Sequence, residues 1–269
     1  MELYPRENYL NKIRGFYHDT ELIKVITGVR RCGKSSLMHT IAEELQSSGI
    51  DKEKLIFINL DARGYKSIKT NEQLEQLLSR YDDIKGTKYL FIDEIQNVTG
   101  FEEVINAFRE DGNYSIFITG SNSYLLSGEL ITKLTGRYIE FEMRTLSFEE
   151  YLGMKRFYGK PVSVNLTDEL DVYIRNGGFP KTVFYDNEAD KRIYIDSIIQ
   201  EIFEKDIKRR VNIKHVSTFE KVQPYLINNY GSTTSLTNML QELKKNGMDI
   251  KRETLNRYIG ILKDAKIIY

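Results

Sequence analysis

The sequence predicts an α/β fold: a doubly wound parallel sheet whose strand ends carry the chemistry, followed by a block of helices. Three observations lead there. Short β-branched runs alternate with stretches of helical period through the first half of the chain, the pattern of strands buried between two helical layers. One strand runs into a glycine-rich loop that opens a helix. Another ends in two carboxylates, Asp93 and Glu94.

The loop is Gly28-Val29-Arg30-Arg31-Cys32-Gly33-Lys34-Ser35-Ser36 and reads G-x-x-x-x-G-K-S. Ahead of it, Leu22-Ile23-Lys24-Val25-Ile26 suits a buried strand. Behind it, Leu37, Met38, Ile41, Ala42 and Leu45 keep a helical period. Gly28 and Gly33 permit backbone conformations closed to residues with a Cβ, so successive N–H groups of the loop can converge on phosphate. The N-terminus of the following helix adds its positive end. Lys34 is expected to reach the β- and γ-phosphates, and Ser35 to ligate Mg²⁺ through its hydroxyl. Strand, loop and helix together predict a nucleoside-triphosphate site on a P-loop NTPase fold.

Composition narrows the setting. Lys+Arg and Asp+Glu both number 39, so the global charge makes no case for nucleic acid, although a local basic face stays open. The single cysteine, Cys32, excludes an internal disulfide framework and fits a reducing cytoplasm. Inside the loop it reads as a small tolerated residue rather than a redox sensor. The chain begins without an apolar signal core and has no apolar run long enough to span a bilayer. A soluble cytoplasmic protein without a membrane partner is expected.

In chain order, a helix is expected over 7–17 after Tyr4-Pro5-Arg6, then the first strand, the loop and its helix. Leu55-Ile56-Phe57-Ile58-Asn59-Leu60 reads as a second buried strand. Thr70 with Gln73 makes a capping box for a helix over 71–81. Tyr89-Leu90-Phe91-Ile92 then leads into Asp93-Glu94, the Walker B pattern: Asp93 would hold Mg²⁺ through water and Glu94 would polarise an attacking water. Phe101, Val104, Ile105 and Phe108 mark one helix face, closed by Asp111-Gly112. The next strand, 115–119, runs into Gly120-Ser121-Asn122-Ser123, where Asn122 or Ser121 could reach the γ-phosphate. Tyr138 to Met143 alternates like an exposed edge strand, and Ser147 with Glu150 caps the helix after it.

From about residue 145 the pattern turns helical. Helices are expected over 168–175, stopped by Gly177-Gly178-Phe179-Pro180, and over 188–210, with Glu201–Lys205 and Glu204–Lys208 pairs on the wet face. Ser217 and Glu220 would cap a further helix to Asn228. Helices at 236–245 and 252–263 and an apolar end, Lys266-Ile267-Ile268-Tyr269, suggest a winged helix that stops where its wing would begin. Three domains are thus expected: 1–145 as the nucleotide-binding core, 146–212 as a helical lid, and 213–269 as a truncated winged-helix-like domain.

Gly-Val-Arg-Arg-Cys-Gly-Lys-Ser, Phe-Ile-Asp-Glu-Ile-Gln, Thr-Gly-Ser-Asn, Leu-Thr-Gly-Arg and Gly-Gly-Phe-Pro follow one another in this order. In that combination nearly the whole chain resembles a prokaryotic ATPase family of the AAA+ class, near its ORC/STAND-like branch. Longer members carry a C-terminal domain that resembles restriction endonucleases. The resemblance implies ATP as the nucleotide, in line with the absence of an Asn-Lys-x-Asp guanine motif. It implies Asn122 as sensor 1, Arg137 as an arginine finger reaching a neighbouring subunit's nucleotide, and Pro180 as part of a G-x-P lid motif touching nucleotide. Asn59 would restrain Glu94, and Arg175 is a candidate for sensor 2.

These readings make the chain an ATP-binding and ATP-hydrolysing protein using Mg²⁺, self-associating through Arg137 and coupling nucleotide state to a partner or to a further C-terminal domain. The rival is a nucleotide-dependent DNA-binding switch with negligible turnover, using Lys244, Lys245, Lys251, Arg252, Arg257, Lys263 and Lys266. A kinase-like phosphotransferase shares the loop but is disfavoured by Glu94 and by the arginine before the last strand.

Overall fold

The computed structural model describes residues 2–120, 134–208, 216–229 and 235–268. Two compact units divide the chain, residues 1–195 and 196–269.

The first unit holds a five-stranded sheet in the order β2-β3-β4-β1-β5, every neighbouring pair parallel. Its strands are β1 (Ile23–Gly28), β2 (Leu55–Asn59), β3 (Lys88–Asp93), β4 (Tyr114–Thr119) and β5 (Tyr138–Met143). The three inner strands β1, β3 and β4 are buried at every position, as strands covered on both faces must be. β5 is an edge strand with polar residues turned outward. β2, expected to be a buried strand, is the other edge: with β3 as its one neighbour it alternates between buried and half-exposed positions.

Among its described residues the helices of this unit are α1 (Glu7–Ile13), α2 (Lys34–Ser47), α3 (Asn71–Leu78), α4 (Phe101–Glu110), α5 (Phe148–Phe157) and α6 (Leu166–Asn176), followed by α7 (Glu188–Ile202), which crosses into the second unit. Both anticipated capping boxes form, Thr70 with Gln73 and Ser147 with Glu150. The expected helices over 7–17 and 71–81 finish instead as 3₁₀ turns, Arg14–Phe16 and Ser79–Tyr81. α6 stops where Gly177 takes a positive φ of 66°.

One rung of side chains crosses the sheet. Lys24, Phe117, Phe91 and Phe57 face one another in register on β1, β4, β3 and β2. The three rings stack at 4.6 and 4.8 Å between centroids, and His39 of α2 closes the column on Phe57 at 4.2 Å. At the other end the Lys24 ammonium lies 4.7 Å from the Phe117 ring and donates to Asp19 O, Leu22 O and Ser115 Oγ at 2.6, 3.0 and 2.9 Å. A buried lysine is tolerated because its donors are met.

In the second unit, α7 ends in a π-helical turn, Phe203–Lys208, and three helices follow: α8 (Val216–Asn228), α9 (Leu236–Lys245) and α10 (Arg252–Asp264). Phe203, Phe219 and Tyr258 form a ring cluster inside it. Ser217 lies within α8 and so does not cap it. The apolar end is not a strand: Ile267 N–H turns back to Leu262 O at 3.0 Å. An extended segment needs a partner for its backbone, and the described residues of this unit contain no strand to supply one.

Burial pushes Lys24 down to about 7, partly offset by Asp19. Between about pH 7 and 10 the unfolded chain keeps this proton and the folded chain has released it, so folding stability should rise with pH across that window. The slope can approach about 1.4 kcal/mol per pH unit. Lys24→Met should flatten the rise in urea midpoint from pH 7 to 10 and stabilise the chain most at the low end. Parallel pH profiles for the two proteins would refute a proton held at Lys24.

Candidate functional site

The site is built at the carboxyl ends of β1, β3 and β4, where parallel sheets place their ligands. β1 exits at Gly28, whose φ is +146° and whose Cα faces Met143 O so closely that a Cβ would lie 2.1 Å from it. No other residue fits. Gly33 caps α2 with φ +109°, and Arg31 also adopts a positive φ, of 67°. Val29 and Cys32 are buried, Arg30 is half-buried, and Ser35 and Ser36 are exposed at the start of the helix.

Lys34 is 6% exposed and folds over the loop, donating to Gly28 O and Val29 O at 3.0 and 3.2 Å. Ser35 Oγ donates to Asp93 Oδ2 at 2.6 Å, bringing together two residues 58 positions apart. Thr119 Oγ1 donates to the other Asp93 oxygen and accepts from Glu94 N–H at 3.2 Å. Asp93 is therefore oriented by hydroxyls on both sides. Glu94 follows in the left-handed region, φ 58° and ψ 45°, which turns its carboxylate out of the strand. Gln96 Nε2 holds that carboxylate at Oε2, while Gln96 Oε1 is buried without a partner.

Asn59, expected to restrain Glu94, instead accepts from Asp61 N–H at 2.9 Å and stabilises the turn after β2. Gln96 occupies that role. Asn122 and Ser121 lie outside the described residues. Arg175 is exposed on α6, its Nε donating to Asp171 O at 3.2 Å within its own helix. Arg137 is not brought to the loop. It sits at the start of β5, at the opposite end of the sheet from Gly28, its backbone O accepting from Ile23 N–H. Its side chain, 45% exposed, reaches Asn106 Oδ1 at 3.3 Å and Glu110 at 3.9 Å.

Pro180 does approach the loop. With Leu37, Thr40, Met143, Leu146 and Tyr4 it lines a cavity of about 60 Å³ beside Gly33. Gly178 sets its position: Leu146 N–H donates to Gly178 O at 2.7 Å, and a Cβ on Gly178 would meet Leu146 O at 2.2 Å. Cys32 is fully buried, and burial raises its thiol pKa, which agrees with a packing residue rather than a redox sensor.

The residue that sequence reasoning missed is Arg6. Its side chain, 6% exposed, forms a two-pronged pair with Glu150 at 3.0 and 2.6 Å. The remaining donors reach Cys32 O in the loop at 3.1 Å, Arg144 O at 2.8 Å and Thr145 O at 3.2 Å. Glu150 also accepts from Ser147 N–H at the start of α5. A lone arginine after a proline carries no periodic signal. Thr119 and Gln96 stand inside the Thr-Gly-Ser-Asn and Phe-Ile-Asp-Glu-Ile-Gln runs, but nothing in those runs assigns them a role.

A family model for an AAA domain matches residues 20–152. It spans the whole sheet and ends just after the Ser147–Glu150 box. Residues 20–152 are thus similar to an AAA domain, and the loop's geometry agrees with that likeness. A domain of unknown function, DUF8612, matches residues 167–269, downstream of that match. The chain is 36% identical over 269 residues to an uncharacterised protein of Haemophilus influenzae, covering 99% of this chain and 66% of that one. It is 33% identical over 252 residues to an uncharacterised protein of Methanocaldococcus jannaschii, covering 92% and 56%. The chain thus spans less than two thirds of the length of these relatives. Among solved structures, the S. cerevisiae Hsp104:casein complex is similar at a TM-score of 0.50 and 14% identity, over 68% of this chain and 36% of that one, a likeness of fold alone. Among the described residues no helix is long and apolar enough to cross a membrane.

Removing Glu150 would leave the Arg6 guanidinium buried beside the loop without its counter-charge. Glu150→Ala should lose about 3–5 kcal/mol of folding stability in urea titrations, and Arg6→Met combined with Glu150→Met should lose much less. Additive losses in that cycle would show that the two side chains act independently.

Proposed function

We propose that the chain binds and hydrolyses ATP with Mg²⁺, coupling nucleotide state to a partner or to a further C-terminal domain. The observation that carries this is the convergence of Lys34, Ser35, Asp93 and Glu94 at the ends of two strands, in front of a helix N-terminus. The three-part division, 1–145 as core, 146–212 as lid and 213–269 as an appended helical domain, belongs to this reading.

Lys34 exchanges the carbonyls of Gly28 and Val29 for the β- and γ-phosphates, so a buried ammonium keeps acceptors in both states. The N–H groups of residues 28–36 hold the phosphate chain. Ser35 and Asp93 present the hydroxyl and carboxylate oxygens that a hard divalent cation takes, and their contact at 2.6 Å supports both of them holding one ion. Bound there, Mg²⁺ would neutralise charge on the phosphates. The cavity beside Leu37 and Pro180 gives the base an apolar seat once it widens. Glu94 orients the attacking water after Gln96 releases it, and Asn122 would help to place that water or the γ-phosphate. Arg137, exposed at the far end of the sheet, would complete a neighbouring subunit's site.

A DNA-binding switch with little turnover is the second reading. It is supported by Lys244, Lys245, Lys251, Arg252, Arg257 and Lys263, all exposed on and around α9 and α10, with Lys266 half-buried next to them. Phosphate release measured with and without DNA separates the two.

The hydrolysis reading is tested with three variants. Lys34→Ala should abolish tight ATP binding. Glu94→Gln should keep binding and lose on the order of 10²-fold or more in kcat. Gln96→Leu should keep binding and alter kcat together with its pH profile, since it removes a donor from the Glu94 carboxylate. Wild-type turnover in Glu94→Gln would move the water-orienting role elsewhere. The trans role of Arg137 is tested by mixing: Arg137→Ala and Lys34→Ala, each inactive alone, should regain part of the activity when co-assembled. An inactive mixture of demonstrably assembled subunits would remove the finger from Arg137, whose loss should lower the rate about 10³-fold.

A further inference from the structure

The unit formed by residues 196–269 contains a cavity of its own, about 390 Å³ in volume, within the usual range of small-ligand sites. One wall is the α7 stripe Asp196, Ile199, Gln200 and its continuation Phe203. The other is the α8 stripe Glu220, Gln223, Pro224 and Ile227. Both follow the i, i+3, i+4, i+7 spacing of a single helix face, and each brings one carboxylate, one or more apolar groups and a glutamine amide. Among the described residues no Lys, Arg or His lines the space.

Two further observations give the cavity a direction. Gln223 is 8% exposed and lines the cavity, so what its side chain leaves open faces that space. Pro224 sits inside α8 and has no N–H to give, so the Glu220 carbonyl lacks its intrahelical donor. The wall therefore offers two carboxylates, a spare backbone carbonyl and amide oxygens, over an apolar floor of Phe203 and Ile227. Phe203 also begins the π-helical turn Phe203–Lys208, an irregularity that often accompanies function.

We propose that this cavity binds a guanidinium or ammonium group carried on an apolar stem. Asp196 and Glu220, both exposed at its mouth, pair with the cation. Gln223 Oε1 and the Glu220 carbonyl accept its remaining N–H groups, and the stem packs on Phe203 and Ile227. Such a group can come from an arginine or lysine side chain of a partner segment or from a free polyamine.

The test is calorimetric titration of the full chain with agmatine, spermidine and a blocked arginine tripeptide, with uncharged butylurea as control. Agmatine should bind, butylurea should not, and Asp196→Asn with Glu220→Gln should weaken agmatine at least tenfold. Gln223→Leu should weaken it with the carboxylates intact, and matched thermal melts check that each variant is folded. The tripeptide binding more tightly than spermidine assigns the site to a partner's side chain, and the reverse order assigns it to a polyamine. Equal agmatine affinity in wild type and the carboxylate variant, or butylurea binding as well as agmatine, overturns the proposal. The outcome is independent of ATP turnover, so the nucleotide reading stands or falls separately.

Discussion

The guanidinium of Arg6 is the contact on which the geometry around the loop depends. It joins three segments distant in sequence: the loop at Cys32, the exit of β5 at Arg144 and Thr145, and the first turn of α5 through Glu150. Arginine alone can do this, because its planar fork presents five donors in fixed directions. The pair with Glu150 is nearly dry, so its value lies less in net stability than in specifying one arrangement. Glu150 cannot move without disturbing the capping box of α5, and Arg6 cannot move without freeing the loop carbonyl at Cys32. The segment before the sheet thereby senses both the loop and the helices that follow the sheet.

That constraint helps the loop keep its shape. Gly28 abuts Met143 O, and Met143 immediately precedes the carbonyls held by Arg6. Lys34 satisfies Gly28 O and Val29 O from within. The loop is closed on itself by its own ammonium, and an incoming phosphate must compete with two carbonyl acceptors. In the proposed reading the ammonium donates in both states, and a phosphate oxygen carries negative charge where a carbonyl carries none, so the exchange favours the ligand without requiring the loop to refold.

Much of this was legible in the sequence, for physical reasons. Buried parallel strands must be apolar at every position, so β1, β3 and β4 announced themselves, as did Thr70 and Ser147, whose caps depend on local spacing alone. β2 was misread because Leu55-Ile56-Phe57-Ile58 is as apolar as an inner strand, and only the strand order reveals that one of its sides is open. The apolar end differs from the expected strand because Ile267-Ile268 has strand propensity but the described residues of its unit offer no strand to pair with. In the site, Lys34, Ser35, Asp93 and Glu94 carry type and spacing signals. Arg6 carries none, and Thr119 and Gln96, although inside the quoted motif runs, take their contacts from tertiary juxtaposition.

The Glu94–Gln96 contact shows what such juxtaposition can achieve. In the proposed hydrolysis the Glu94 carboxylate must be held, yet free to turn when the phosphates arrive. Glu94 stands in a left-handed conformation that a non-glycine residue adopts only when its surroundings impose it. Thr119 imposes it from the backbone side through Glu94 N–H, and Gln96 restrains the side chain from the other. Gln96 holds one oxygen with its amide N–H while its own Oε1 stays buried and unpaired, so the restrained state carries an unmet hydrogen bond. A second state that offered Oε1 a donor would be favoured by that margin. In the proposed reading that unmet bond weakens the hold of Gln96 on Glu94. Asn59, committed to the Asp61 backbone, has no comparable freedom.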